Sequence, residues 1–169
     1  TMNMPLVKSP SPQNFLMDTG VASLNKFGEE LCGDKVVITY RDDSIIIILS
    51  DGLGSGVKAN ILATLTTKIA GTMLEKGAEL DDVLETFART LPTCKVRNLA
   101  YSTFTIIQIF KNGQVYLAEF DNPSVFYFRN GHLSPIVRTT REIAGKTIKE
   151  SRFQGHPNSK YGTYQAPCG

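Results

Sequence analysis

The chain has no tryptophan, two histidines and three cysteines in 169 residues. Each shortage excludes something. Cys32, Cys94 and Cys168 are odd in number and widely spaced, which fits a reducing compartment better than a disulfide framework. Their spacing matches no zinc motif, and Cys32 reads as a small packed hydrophobe. His132 and His156 each follow a glycine in a loop-like context, the setting of surface residues rather than catalysts. There is no block of Lys and Arg, and the net charge is only +2, so nothing marks a nucleic-acid surface. The longest apolar run, Ile45 to Leu49, is far too short to span a bilayer. No basic segment followed by an apolar core opens the chain, so no signal peptide is read and a cytoplasmic location is expected. What is present is an ordinary globular balance, 41% hydrophobic against 20% charged, that supports one folded domain.

Residues 1–20, with Val7-Lys8-Ser9-Pro10-Ser11-Pro12, read as an irregular lead-in. Regular structure is expected from near Val21, in a domain over 21–154 followed by a tail over 155–169. Val36 to Tyr40 and Ile45 to Leu49 are strand-like, with turn-like Arg41-Asp42-Asp43-Ser44 between them. If Asp42 and Asp43 form the turn, Arg41 pairs with Ser44 and Asp34 falls opposite Asp51. Val57, Ile61, Leu62, Leu65, Ile69 and Met73 recur at helical steps and predict one buried apolar stripe, with Gly77 as the stop. A second helix is predicted from Asp81 to Leu91, acidic in its first turn and ended by Pro92. The period then falls to two. Strands are predicted at Thr103–Phe110, Gln114–Phe120 and Val125–Phe128, near Ile136–Val137 and over Thr147–Phe153, with Asn112-Gly113 and Asn130-Gly131 as turns. A hairpin, two adjacent helices and a run of antiparallel strands predict an α+β fold.

The expected meeting of Asp34 and Asp51 carries chemistry. Two adjacent carboxylates repel unless a proton or a cation lies between them. Hard oxygen donors suit Mg²⁺ or Mn²⁺. Gly-Asp and Asp-Gly at strand ends also make ordinary turns, so both readings stand on the spacing alone. The loop Asp51-Gly52-Leu53-Gly54-Ser55-Gly56 fails both nucleotide patterns. Gly56 is followed by Val57-Lys58-Ala59 rather than Lys-Ser/Thr, and the glycines alternate with no parallel strand soon after. Gly52 lets the backbone bend so that its carbonyl can point at a cation. Lys26 and Lys58 are the basic residues nearest these motifs. They could hold a phosphate, though a solvated role suits them better. Asp121-Asn122-Pro123-Ser124 could be functional or simply a turn, and turn chemistry explains it adequately.

Four ordered segments carry a resemblance. They are Glu29-Glu30-Leu31-Cys32-Gly33-Asp34, Ser50 through Ala59, Ala100-Tyr101-Ser102-Thr103-Phe104-Thr105, and Glu119-Phe120-Asp121-Asn122-Pro123. Over residues 21 to 154 the chain resembles the stage II sporulation protein E branch of the metal-dependent, protein phosphatase 2C-like phosphatases. The resemblance implies an antiparallel β-sandwich flanked by α-helices and hydrolysis of phosphoserine or phosphothreonine on a protein. Two Mn²⁺ or Mg²⁺ ions with a bridging water would do the chemistry. It implies Asp51 as the residue bridging both ions, Asp34 as a ligand of one of them, and the Gly52 carbonyl as a further ligand. A phosphorylated bacterial regulatory protein is the implied partner, and a homodimer an implied assembly. The family pattern continues with a late Ser/Thr-Asp-Gly and a final aspartate on further strands. No aspartate follows Gln154, so this sequence is expected to supply a full ligand set for one ion at most. The alternative reading is a non-catalytic regulatory or scaffold domain with the same fold.

Overall fold

The computed structural model describes residues 14–23, 33–53, 57–91 and 101–163. In chain order the elements are β1 (Asp34–Tyr40), β2 (Ser44–Leu53), α1 (Val57–Glu75), α2 (Leu80–Thr90), β3 (Tyr101–Phe110), β4 (Gln114–Phe120), β5 (Phe126–Arg129), β6 (His132–Ser134), β7 (Thr139–Ile143), β8 (Lys146–Gln154) and β9 (Ser159–Gly162). The Arg41 amide donates to the Ser44 carbonyl at 2.8 Å and closes the first hairpin. The register then runs from Tyr40 opposite Ile45 to Asp34 opposite Asp51, as the turn chemistry predicts.

Six antiparallel strands form the main sheet in the order β1-β2-β3-β4-β8-β7, and a second sheet has the order β6-β5-β9. Alternation gives the main sheet two apolar faces. Ile46, Ile48, Phe104 and Ile106 pack with Leu84 and Phe87 of α2. Ile107, Val115 and Leu117 face the other way and pack with Val125 and Tyr161. On that side Tyr127 stacks on Tyr161 with centroids 5.1 Å apart and meets Phe153 at 5.2 Å. The result is an antiparallel sandwich with both helices outside its larger sheet, the expected class. No described helix is long and apolar enough to cross a membrane.

Helix α1 is turned from the predicted face: Ile69 and Met73 of the predicted stripe pack against the core, but Val57, Ile61 and Leu65 do not. Its buried residues are Ala59, Ala63, Thr66, Thr67, Ala70 and Leu74. Val57, Ile61 and Leu65 are 62%, 56% and 48% exposed. The reason is proximity. A Cβ added at Gly52 would lie 2.0 Å from the Ala59 carbonyl oxygen, so the first turn of α1 rests directly on the β2 backbone. Only small side chains fit at that spacing. The two threonines satisfy their hydroxyls within the helix, Thr66 donating to Leu62 O at 2.8 Å and Thr67 to Ala63 O at 2.9 Å.

The helix ends are closed by specific donors. Gly77 (φ +84) donates to Leu74 O at 3.1 Å and Ala78 to Met73 O at 2.9 Å, a Schellman stop at the predicted glycine. Arg41 adds bonds to Leu74 O and Ala78 O, at 3.1 and 2.7 Å, and so ties the first hairpin to α1. Lys146 is buried at the end of α2. Its ammonium donates to Ala88 O and Leu91 O, both at 2.7 Å, satisfying carbonyls at the negative end of the helix. Burial pushes that ammonium below the ordinary lysine range.

Three further expectations are corrected. The short strand expected near Ile136–Val137 lies instead at His132–Ser134, directly after the Asn130-Gly131 turn. The unforeseen β7–β8 hairpin turns at Ala144-Gly145, both at positive φ (50° and 78°). Residues 159–162, expected within a tail, form β9 and pair with β5. Residues 21–23 carry no regular structure. Pro92, the cysteines and the lead-in before residue 14 lie outside the described residues. The turned α1 face predicts contrasting substitutions, readable by chemical denaturation. Ile61→Lys should change stability by no more than about 0.5 kcal/mol, whereas Ala63→Leu should cost about 1–3 kcal/mol.

Candidate metal centre

Three strands contribute one lateral row. Asp34, Asp51 and Thr103 lie directly opposite one another across β1, β2 and β3. Opposite residues in antiparallel strands share a face. This face is the one turned away from the helices, because the neighbouring Ser50 and Ser102 turn towards α1. The Ser50 hydroxyl donates to Thr103 O at 3.0 Å and lies 2.8 Å from the Ser102 hydroxyl, which in turn is 3.1 Å from Thr66 Oγ1. A chain of buried hydroxyls therefore backs the Asp51 strand end. Gly52 donates its N–H to Gly33 O at 3.2 Å, joining the two acidic segments through the backbone. The structural need for glycine at 52 is the Ala59 contact, which the sequence did not reveal.

The carboxylates feel each other. Burial, a hydrogen bond to Asp51 and the charge of Asp51 push the Asp34 carboxyl up to about 7. Near neutral pH Asp34 therefore keeps part of its proton beside Asp51. The facing side chains are two carboxylates, hard oxygen donors whose like charges a dication neutralises. That chemistry fits Mg²⁺ or Mn²⁺. Among the described residues no group of three or more His, Cys, Asp or Glu side chains gathers at one point. Lys58 is exposed at the start of α1. Lys26, Gly54 and Gly56 lie outside the described residues.

A second layer of residues went unread in the sequence. Asp121 takes φ 50° just beyond β4 and swings Asn122 back over β3. The Thr103 hydroxyl donates to Asn122 Oδ1, and Asn122 Nδ2 donates to Thr105 Oγ1 at 2.8 Å. The far side of this turn is buckled by a buried ion pair. Arg138 Nε meets Glu119 Oε2 at 2.6 Å, and Glu119 Oε1 accepts the Val125 N–H at 2.7 Å. Only the Thr103-x-Thr105 spacing hinted that two hydroxyls share the Asp51 face.

The stage II sporulation protein E (SpoIIE) family matches residues 41–151, two-thirds of the chain. The chain belongs to that family. The match takes in Asp51 and the Asn122 turn and begins after Asp34. Within this SpoIIE-family chain, 76 residues are 33% identical to phosphoserine phosphatase RsbX of Bacillus subtilis (strain 168), covering 45% of this chain and 31% of RsbX. The match thus spans about a third of that relative. The crystal structure of RsbX in complex with magnesium superposes with a TM-score of 0.64 at 21% identity, over 82% of this chain and 68% of that one. The phosphatase 2C domain of SpoIIE from Bacillus subtilis superposes with a TM-score of 0.68 at 19% identity, over 82% and 41%. These superpositions show a phosphatase 2C-like fold.

The raised Asp34 carboxyl sets a pH dependence. A carboxyl whose folded value lies above its unfolded value imposes no cost below about pH 4, a growing cost as pH rises, and the full cost above about 7. In EDTA the melting temperature should fall across that window. Asp34→Asn should abolish the fall and melt higher than the wild type at pH 8. A flat wild-type profile in EDTA would contradict the burial and pairing of Asp34.

Proposed function

We propose that this domain hydrolyses phosphoserine or phosphothreonine on a protein substrate with the help of Mg²⁺ or Mn²⁺. The observation that carries this reading is the opposition of Asp34 and Asp51 at one strand end, in a chain of the SpoIIE family. Asp51 would hold the ion together with Asp34 and the carbonyl of Gly52. When bound, divalent ions supply a water of lowered pKa and positive charge for the phosphoryl oxygens. The protein's part is to present the carboxylates ionised and fixed. Asp34 would have to be ionised to hold a cation, so metal affinity should climb with pH through about 7. The ladder, the hydroxyls of Ser50 and Ser102, and the seat of α1 on Gly52 keep Asp51 from moving with its load.

The likeness to a phosphoserine phosphatase supports a phosphoprotein substrate, and a phosphorylated bacterial regulatory protein is the partner we propose. The test is phosphate release from phosphoserine and phosphothreonine peptides with Mn²⁺, with EDTA, and with Asp51→Asn. Activity should require the metal and fall by about two orders of magnitude or more in Asp51→Asn. Hydrolysis untouched by EDTA or by Asp51→Asn would overturn the proposal. Tight Mn²⁺ binding without turnover on any phosphopeptide would favour the partner-binding, non-catalytic reading.

A further inference from the structure

We propose that Asn122 is a positioning residue for the Asp51 centre and acts through the hydroxyl of Thr103. The inference rests on the metal reading above. Thr103 is 2% exposed and lies directly across the ladder from Asp51. Its hydroxyl carries one proton and has two acceptors in reach. The hydroxyl donates to Asn122 Oδ1 and lies 3.4 Å from the Asp51 carbonyl oxygen. The other end of the same amide donates to Thr105 Oγ1 at 2.8 Å. Both ends of the Asn122 side chain are therefore committed, and the amide spans two hydroxyls two residues apart on one face of β3.

A turn does not need these bonds. Asp121-Asn122-Pro123-Ser124 could reverse the chain without reaching back across the sheet. The surrounding structure nevertheless holds it there. Glu119 lies opposite Thr105, is 3% exposed, and is gripped by Arg138 at 2.6 and 3.1 Å while it accepts the Val125 N–H. Arg138 also donates to Val125 O at 3.0 Å. The buckle fixes where the turn begins and ends, and Asn122 projects from it onto the rung that carries Asp51. The amide thereby holds the Thr103 hydroxyl between Asn122 Oδ1 and the Asp51 carbonyl oxygen and braces the end of β3 beside the acid pair. Partners one layer behind metal ligands typically change affinity by about 10–100-fold.

The test is calorimetric titration with Mn²⁺ alone on the wild type, Asn122→Ala, Thr103→Val and Thr103→Ser. It is run at pH 8, well below the melting temperature each variant shows in EDTA. Asn122→Ala and Thr103→Val should weaken Mn²⁺ binding by about 10–100-fold, while Thr103→Ser, which keeps the hydroxyl, should stay within about threefold of the wild type. Unchanged affinity in Asn122→Ala would overturn the inference. So would equal losses in Thr103→Ser and Thr103→Val, since that pattern reports packing of the threonine methyl. Should Asn122→Ala not fold, the two threonine variants decide the matter alone. A wild type that binds no Mn²⁺ would instead overturn the metal reading itself, an outcome separable from both of these.

Discussion

Asp34 and Asp51 face each other because of residues remote from both. In an antiparallel ladder the side chains alternate, so a slip of one residue would exchange the two faces of β2. Ile46 and Ile48, both wholly buried, would leave the helix-side core, and Asp51 would enter it. Burying an unpaired carboxylate there costs far more than any ladder bond returns. The apolar residues of β2 thus enforce the register, and the register enforces an acid pair that would separate if left to itself. The local repulsion is a small opposing term inside a large cooperative preference.

The same strand end is braced differently on its two sides. Towards the helices, contact is steric and tight: the Gly52 backbone lies against the Ala59 carbonyl, and hydroxyls of Ser50, Ser102 and Thr66 fill the remaining space. Away from the helices, contact is polar and directional, built from Thr103, Asn122, Thr105 and the Glu119–Arg138 pair. Steric contact sets how close α1 can come, and hydrogen bonds set the orientation of the rung. A buried ion pair of this kind is weak evidence for stability. Its geometry here instead fixes one conformation of one turn, which is what a site needs from its surroundings.

Much of this was legible in the chain because short-range chemistry governs it. Two aspartates in a turn between β-branched runs fix a hairpin, and arithmetic along the strands brings Asp34 to Asp51. Gly77 stops α1 for an equally local reason. The misses have separate physical sources. Val57, Ile61 and Leu65 form a good apolar stripe, yet the sheet demanded the row of Ala59, Ala63, Thr66 and Ala70, because closeness to a backbone outweighs hydrophobicity of the side chain. Alanine at helical spacing was the available signal. Strand β9 is polar and draws its pairing from β5, far away in sequence. Ala144-Gly145 was passed over because alanine seldom adopts positive φ. The resemblance supplied the proposed metal roles of Asp51, Asp34 and Gly52, while the sequence left Asn122 as either a functional residue or a plain turn residue.

Lys146 offers a last consequence. Its amine is 3% exposed and holds the end of α2 from within the β7–β8 hairpin. An acylating reagent in solution reaches surface lysines such as Lys68 and Lys149 at once, but reaches this one only when the hairpin leaves the helix. Covalent labelling at Lys146 therefore counts openings of the domain one molecule at a time, a clock that the protein carries in its own sequence.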